Sequence, residues 1–125
     1  MKKIAFPTED GETISRHLGR AQLFLVAILE DSGAVHFEKR EKPYHNDEMA
    51  GGLHEHTGFG MGPSMFAPIS DCQVLISGGM GEPAFKHARE QGLEVILPAE
   101  KNIHVALEAY RNGKLESDLR RIHKR

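Results

Sequence analysis

Eight histidines stand among 125 residues, and three of them, His45, His54 and His56, fall in one glycine-rich stretch. In an extended segment side chains at i and i+2 point the same way, so His54 and His56 can offer two imidazoles to one ion. His45, Asp47 and Glu55 are near enough in sequence to complete such a set. Imidazole is largely neutral at pH 7 and ready to ligate, and His-rich tracts read as metal binding. The glycines suit a loop that closes on a ligand rather than a structural zinc site with four fixed ligands. A polar surface loop that merely tolerates histidine is the plain alternative.

Two further clusters carry chemistry. Ser77-Gly78-Gly79-Met80-Gly81 lies between an apolar run and a helical pattern. Free N–H groups at such a turn can cradle an anion, and Met80, half exposed at its mouth, could touch a sulfur-rich ligand. The stretch is neither a dinucleotide fingerprint nor a P-loop, and tight packing accounts for its glycines equally well. Ser15-Arg16-His17-Leu18-Gly19-Arg20 places one imidazole and two guanidiniums together, suited to an anionic ligand or to a surface turn. Cys72 is the one cysteine. It reads first as a small buried side chain and second as a single thiolate ligand. Alone it makes no internal disulfide and no four-cysteine cluster.

The elements that must position these residues follow from periodicity. Lys3 to Pro7 reads as a strand, Thr8 to Gly11 as a turn, and Thr13 to Ala21 as room for a helical turn. Gln22 to Glu30 is continuously apolar, Asp31-Ser32-Gly33 turns the chain, and Val35 to Glu41 alternates. That pattern predicts a hairpin with a central first strand and a second strand nearer an edge. Pro43 to Pro63 has no period and holds five glycines, a length that in a compact domain points to function or disorder. A brief helix over Ser64 to Ile69 precedes a strand over Cys72 to Ser77, a helix over Glu82 to Gln91 capped by Gly92, and a strand over Leu93 to Pro98. Asn102 to Tyr110 is an amphipathic helix with Ile103, Ala106, Leu107 and Tyr110 on one face. A hairpin followed by strand–helix–strand–helix predicts one α/β domain, a mixed five-stranded sheet flanked by helices.

Composition bounds the rest. With 39% hydrophobic residues and a net charge of -2, the chain has the makings of one core and not of a disordered polymer. No apolar run approaches the ~20 residues of a membrane span, and the opening residues lack a signal peptide's apolar region. The expectation is a cytoplasmic protein without a membrane partner. Residues 1–110 carry ten basic and sixteen acidic side chains, while 111–125 carry six and two. The acidic body and the lack of Trp argue against nucleic acid, and the basic tail over 117–125 reads as a frayed, solvated end.

Taken together, Lys2 to Gly11 and Ile14-Ser15-Arg16-His17-Leu18-Gly19-Arg20-Ala21 resemble the opening of the dinitrogenase iron–molybdenum cofactor biosynthesis family, the small NifX- and NafY-like domains. The family's usual His-Phe-Gly-Arg-Ala has Leu18 in place of Phe here. Asp71 to Gly81 resembles its second block, an apolar strand leading into Gly-Gly-Met-Gly, and Ala106 to Leu115 resembles its close. The resemblance covers 1–116. It implies a ribonuclease-H-like fold without nuclease activity, and carriage of an iron–sulfur or iron–molybdenum type cluster between donor and acceptor proteins. It also implies that His17 touches the cluster, and that the His-rich insert takes part in metal binding.

Three functions follow. The first is a non-enzymatic cluster carrier in which Arg16, His17 and Arg20 face Gly78, Gly79, Met80 and Gly81 across one cleft, with the 43–63 loop closing over it. The second is a buffer or sensor of a divalent metal such as Zn or Ni, using His45, His54 and His56. The third is a metal-dependent nuclease. It is disfavoured because the first strand holds no acidic residue and only Glu9 and Asp10 follow it. Self-association is open on all three.

Overall fold

The computed structural model describes residues 1–41 and 66–123. The 43–63 loop, with His45, His54 and His56, lies outside them. Strand β1 (Lys2–Thr8) pairs antiparallel with β2 (Leu23–Leu29), and β2 with β3 (Val35–Glu41). On its other side β1 pairs in parallel with β4 (Val74–Ile76), and β4 with β6 (Glu94–Ile96). The sheet therefore runs β3-β2-β1-β4-β6, with five strands and mixed direction as the pattern predicts. Helix α1 (Glu82–Glu90) bridges β4 and β6, and α2 (Ile103–Arg111) follows β6. Gly92, at φ +90°, lets the chain turn after α1. The Asn102 side chain caps α2 by accepting from Val105 N at 3.0 Å.

Alternation along the central strands sorts the core into two layers. Ala5, Phe24, Val26 and Leu75 pack with Ala88 of α1. Ile4, Phe6, Leu25, Ala27, Val74 and Ile76 pack with Ile103, Ala106 and Leu107 of α2. This is why β2 reads as apolar throughout: both of its faces are covered. Each large side chain buried completely, such as Phe6, Phe24 or Ile103, contributes about 1.5–3 kcal/mol.

Two features differ from the sequence expectation. Residues 117–123 are not frayed. Leu97 N donates to Ser117 Oγ at 2.9 Å and Asp118 N to Leu97 O at 2.9 Å. The segment then forms β7 (Ile122–His123), which pairs in parallel with β5 (Met80–Gly81). Second, Met80 is not half exposed but 1% exposed, packed in the α1-side core.

Short-range polar bonds fix the sheet's lower corner. Asp71 accepts from Arg40 Nη1 at 2.6 Å and from Lys3 Nζ at 2.7 Å, tying β3 and β1 to the entrance of β4. These cations hold its carboxyl far below the usual carboxylate range, the Arg40 hydrogen bond being the larger cause. A depressed folded value gives stability that is present above the unfolded value of ~3.9 and lost as pH falls through it towards the folded one. Asp71→Asn is expected to cost about 1 kcal/mol at pH 7, a figure discounted for the half-exposed carboxylate. The variant should also lose less stability than the parent between about pH 4 and pH 2, as followed by urea unfolding at each pH.

A tight backbone approach is made at Gly78. A Cβ there would lie 2.7 Å from Ser15 O and 3.0 Å from Arg16 Cα, both backbone atoms with no freedom to swing aside. At Gly81 the nearest atom would be Pro83 Cδ at 3.7 Å, an ordinary contact. Gly78→Ala should therefore destabilise by roughly 1–3 kcal/mol and Gly81→Ala by about 1 kcal/mol or less, read as urea midpoints at constant m-value.

Candidate functional site

The segment after β1 is laid down by a side-chain-bonded turn and a run of backbone bonds. Asp10 folds the turn: Oδ1 accepts from Glu12 N and Thr13 N, both at 2.8 Å, and Oδ2 accepts from Thr13 Oγ1 at 2.8 Å. Buried Thr8 completes it, its Oγ1 accepting from Gly11 N at 2.9 Å. Ile14 N then donates to Lys101 O at 2.7 Å, Ser15 N to Pro7 O at 2.8 Å, and Ile103 N back to Glu12 O at 2.9 Å. The chain crosses the glycine block with Gly78 N donating to Ser15 O at 2.9 Å and Leu18 N to Gly79 O at 3.1 Å. A 3-10 turn over Leu18–Arg20 leads into β2, and Leu18 is buried in the core.

That path leaves Arg16 and His17 outside, on a backbone clamped on both sides. Both are exposed. His17 is extended (φ -132°, ψ 103°), and its N–H donates to Ser15 Oγ at 3.2 Å. The pair borders a cleft of about 370 Å³ whose other walls include Glu9, Asp10, Thr13 and Ser15. Arg20 closes the 3-10 turn.

The glycine block does not face this cleft. Gly78 and Gly79 are buried, and their N–H groups are engaged, Gly78 with Ser15 O and Gly79 with Ser77 Oγ at 3.3 Å. Ser77, itself buried, returns a hydrogen bond from Oγ to Gly79 O at 2.9 Å. Gly81 precedes α1, whose first turn holds Glu82 and Pro83: a carboxylate already meets the helix dipole, and one N–H is missing. The open anion cradle expected at 78–81 is thus closed by its own packing. Gly78 instead borders a second cleft, of about 220 Å³, and Arg16 is the one predicted residue on both. The predicted residues therefore do not meet in one opening: His17 lines the first cleft, Gly78 the second and Arg16 both, while Arg20, Gly79, Met80 and Gly81 line neither. Lys101 and Arg121 also line the second cleft. Sequence reading missed them, although the basic run at 120–121 was the available signal. Among the described residues no three His, Cys, Asp or Glu side chains group to hold a metal ion, and no helix is long and apolar enough to cross a membrane.

Comparison with known proteins places this geometry in context. The family model described as dinitrogenase iron-molybdenum cofactor matches residues 1–113. No curated protein matches the chain. Among solved structures, the apo form of the orange protein from Desulfovibrio gigas has a TM-score of 0.62 at 19% identity, over 94% of this chain and 93% of that one. The protein PH0822 has a TM-score of 0.64 at 21% identity, over 93% of this chain and 96% of its own. A Methanocaldococcus jannaschii protein provisionally assigned as a dinitrogenase has 0.63 at 11% identity, over 93% of both chains. At these identities the likeness is one of fold.

Cys72 stands away from both clefts, buried in the α1-side core at the foot of β4. Burial, with the Asp71 carboxylate beside it, pushes its thiol up to about 11. Such a thiol is a poor nucleophile, since at pH 8 only on the order of 0.1% is thiolate. A colorimetric disulfide reagent at pH 8 should label Cys72 slowly in the native protein and within the mixing time in denaturant.

Proposed function

The chain belongs to the dinitrogenase iron–molybdenum cofactor family, and from that premise we propose that it binds and hands on an iron–sulfur or iron–molybdenum type cluster without turning it over. The observation that carries this reading is the exposed Arg16–His17 pair on a backbone clamped by Gly78 and Gly79, opening on a 370 Å³ cleft. The cluster is cargo and needs a holder that can let go. Guanidinium N–H groups satisfy bridging sulfides by charge-assisted hydrogen bonds, and one imidazole gives a single exchangeable metal bond. Arg20 and the 43–63 loop, with His45, His54 and His56, belong to the same reading as further contacts. Donor and acceptor proteins for the cluster are its partners, the cytoplasm its place, and a ribonuclease-H-like arrangement its fold. An antiparallel three-strand meander running on into two parallel strands is what supports that arrangement.

One of the cleft's two carboxylates is also withdrawn from catalysis. Two-metal phosphoryl transfer needs carboxylates free to bind cations. Asp10 spends both its oxygens on the turn that presents Arg16 and His17, and the four backbone and hydroxyl donors there hold its carboxyl well below the ordinary range.

Anaerobic incubation of the tag-free protein with an iron–sulfur cluster donor, followed by desalting and elemental analysis, tests the proposal. Retained iron and sulfide are expected, reduced about tenfold or more in His17→Ala with the urea midpoint unchanged. Zn or Ni retained without sulfide, and lost only when His54 and His56 are replaced, would instead make this chain a divalent-metal binder. Iron retained equally by the parent and His17→Ala removes His17 from the site.

A further inference from the structure

The second cleft has a composition that the cluster reading uses only in Arg16. Arg16 comes from the segment after β1, Lys101 from the loop before α2, and Arg121 from the 3-10 turn before β7. Three cations from three separate parts of the chain converge on about 220 Å³, beside the Gly78 backbone and Pro98. The one acidic wall residue is Glu100, and its Oε2 is engaged by Asn102 N at 2.9 Å. Among the described residues no ion pair is formed by Arg16, Lys101 or Arg121. Asp118 feels the Arg121 charge at longer range, but its carboxylate is taken by Arg120, at 3.0 and 3.2 Å.

The decisive atom is Arg121 Nε. It is buried, and it has no hydrogen-bond partner among the described residues. Buried donors on a charged group are rarely left so, and each one calls for an explanation. The residue as a whole is half-buried and lines the cleft, while its Nε is shut off from water.

The geometry points to an oxyanion site here: a small tetrahedral dianion, of the phosphate or sulfate type, seated between Arg121, Lys101 and Arg16. Arginine's planar fork matches two oxygens of such an ion, and Lys101 supplies a point charge at a third. The 117–123 segment is then a clamp. Its bonds to Leu97 and its pairing with β5 hold Arg121 over the cleft. The site shares Arg16 with the cluster reading but contains neither His17 nor the 43–63 loop, so it is tested with no cluster present.

The test is an NMR titration of the ¹⁵N-labelled full chain with inorganic phosphate, at constant ionic strength made up with chloride and without any cluster present. A saturable shift of the Arg121 Nε–H and Gly78 amide signals is expected. Lys101→Gln and Arg121→Gln should each weaken it on the order of tenfold. Arg111→Gln, which removes an equal charge from the far end of α2, should leave it unchanged. Because Arg121→Gln could loosen β7, Lys101→Gln, on another element, is the deciding variant. Shifts that do not saturate, that chloride reproduces, or that persist undiminished in Lys101→Gln overturn the site. Sulfate and glycerol phosphate distinguish the source: equal affinity for all three ions identifies a free oxyanion, and preference for the ester identifies the phosphoryl end of a larger ligand.

Discussion

The structure depends on one close approach, the crossing of the Ser15–Leu18 backbone over Gly78 and Gly79. Two hydrogen bonds and a missing Cβ make it: Gly78 N to Ser15 O, Leu18 N to Gly79 O, and 2.7 Å where any other residue would place a carbon. From it the rest of the surface follows. Leu18 on one side and Met80 on the other are driven into the same core layer, each worth ~1.5–3 kcal/mol of burial. The residues between Ser15 and Leu18 have no room to turn inward, so Arg16 and His17 face solvent. The crossing also divides the surface, leaving one cleft on the Asp10 side and another on the Lys101 side, with Arg16 between them.

This explains why the glycine block can look like a ligand cradle in sequence and serve as a packing device in space. A cradle requires N–H groups that point at nothing. Here Gly78 and Gly79 spend theirs on Ser15 and Ser77, and the following helix begins with a carboxylate and a proline. The two readings share the same residue types, because both need backbone without side chains. Only the partner segment, sixty residues earlier in the chain, tells them apart, and no local pattern contains it.

Much of the scaffold was legible because its signals are local. β2 shows its two covered faces as an unbroken apolar run, α2 its cap as Asn102 and its buried face as Ile103, Ala106 and Leu107, and the turn after α1 its glycine. β5 and β7 were not legible. Strands of two residues carry no period, and they exist only because Met80–Gly81 and Ile122–His123 meet from distant parts of the chain. The same limit hid the second cleft, since Arg121 reads as part of a basic end until the Ser117 and Asp118 bonds to Leu97 bring it back. At the first cleft, the juxtaposition of Arg16 and His17 was visible as sequence neighbours; their outward direction was not.

The distribution of chemistry over the described surface has a consistent sense. Two groups that could act as nucleophile or base are committed: Cys72 is buried with its thiol held protonated, and Asp10 is locked into a turn by four hydrogen-bond donors, Thr8 among them. Asp71 is committed in the same way, to Arg40 and Lys3. Around the two clefts, by contrast, Arg16, Lys101 and Arg121 are held in place by backbone bonds rather than by ion pairs with their own side chains. Cations without ion pairs at the mouths of these clefts suit the holding of anions. For the proposed carrier role this would ease release, because a cluster held by hydrogen bonds and one imidazole leaves on breaking a single coordination bond.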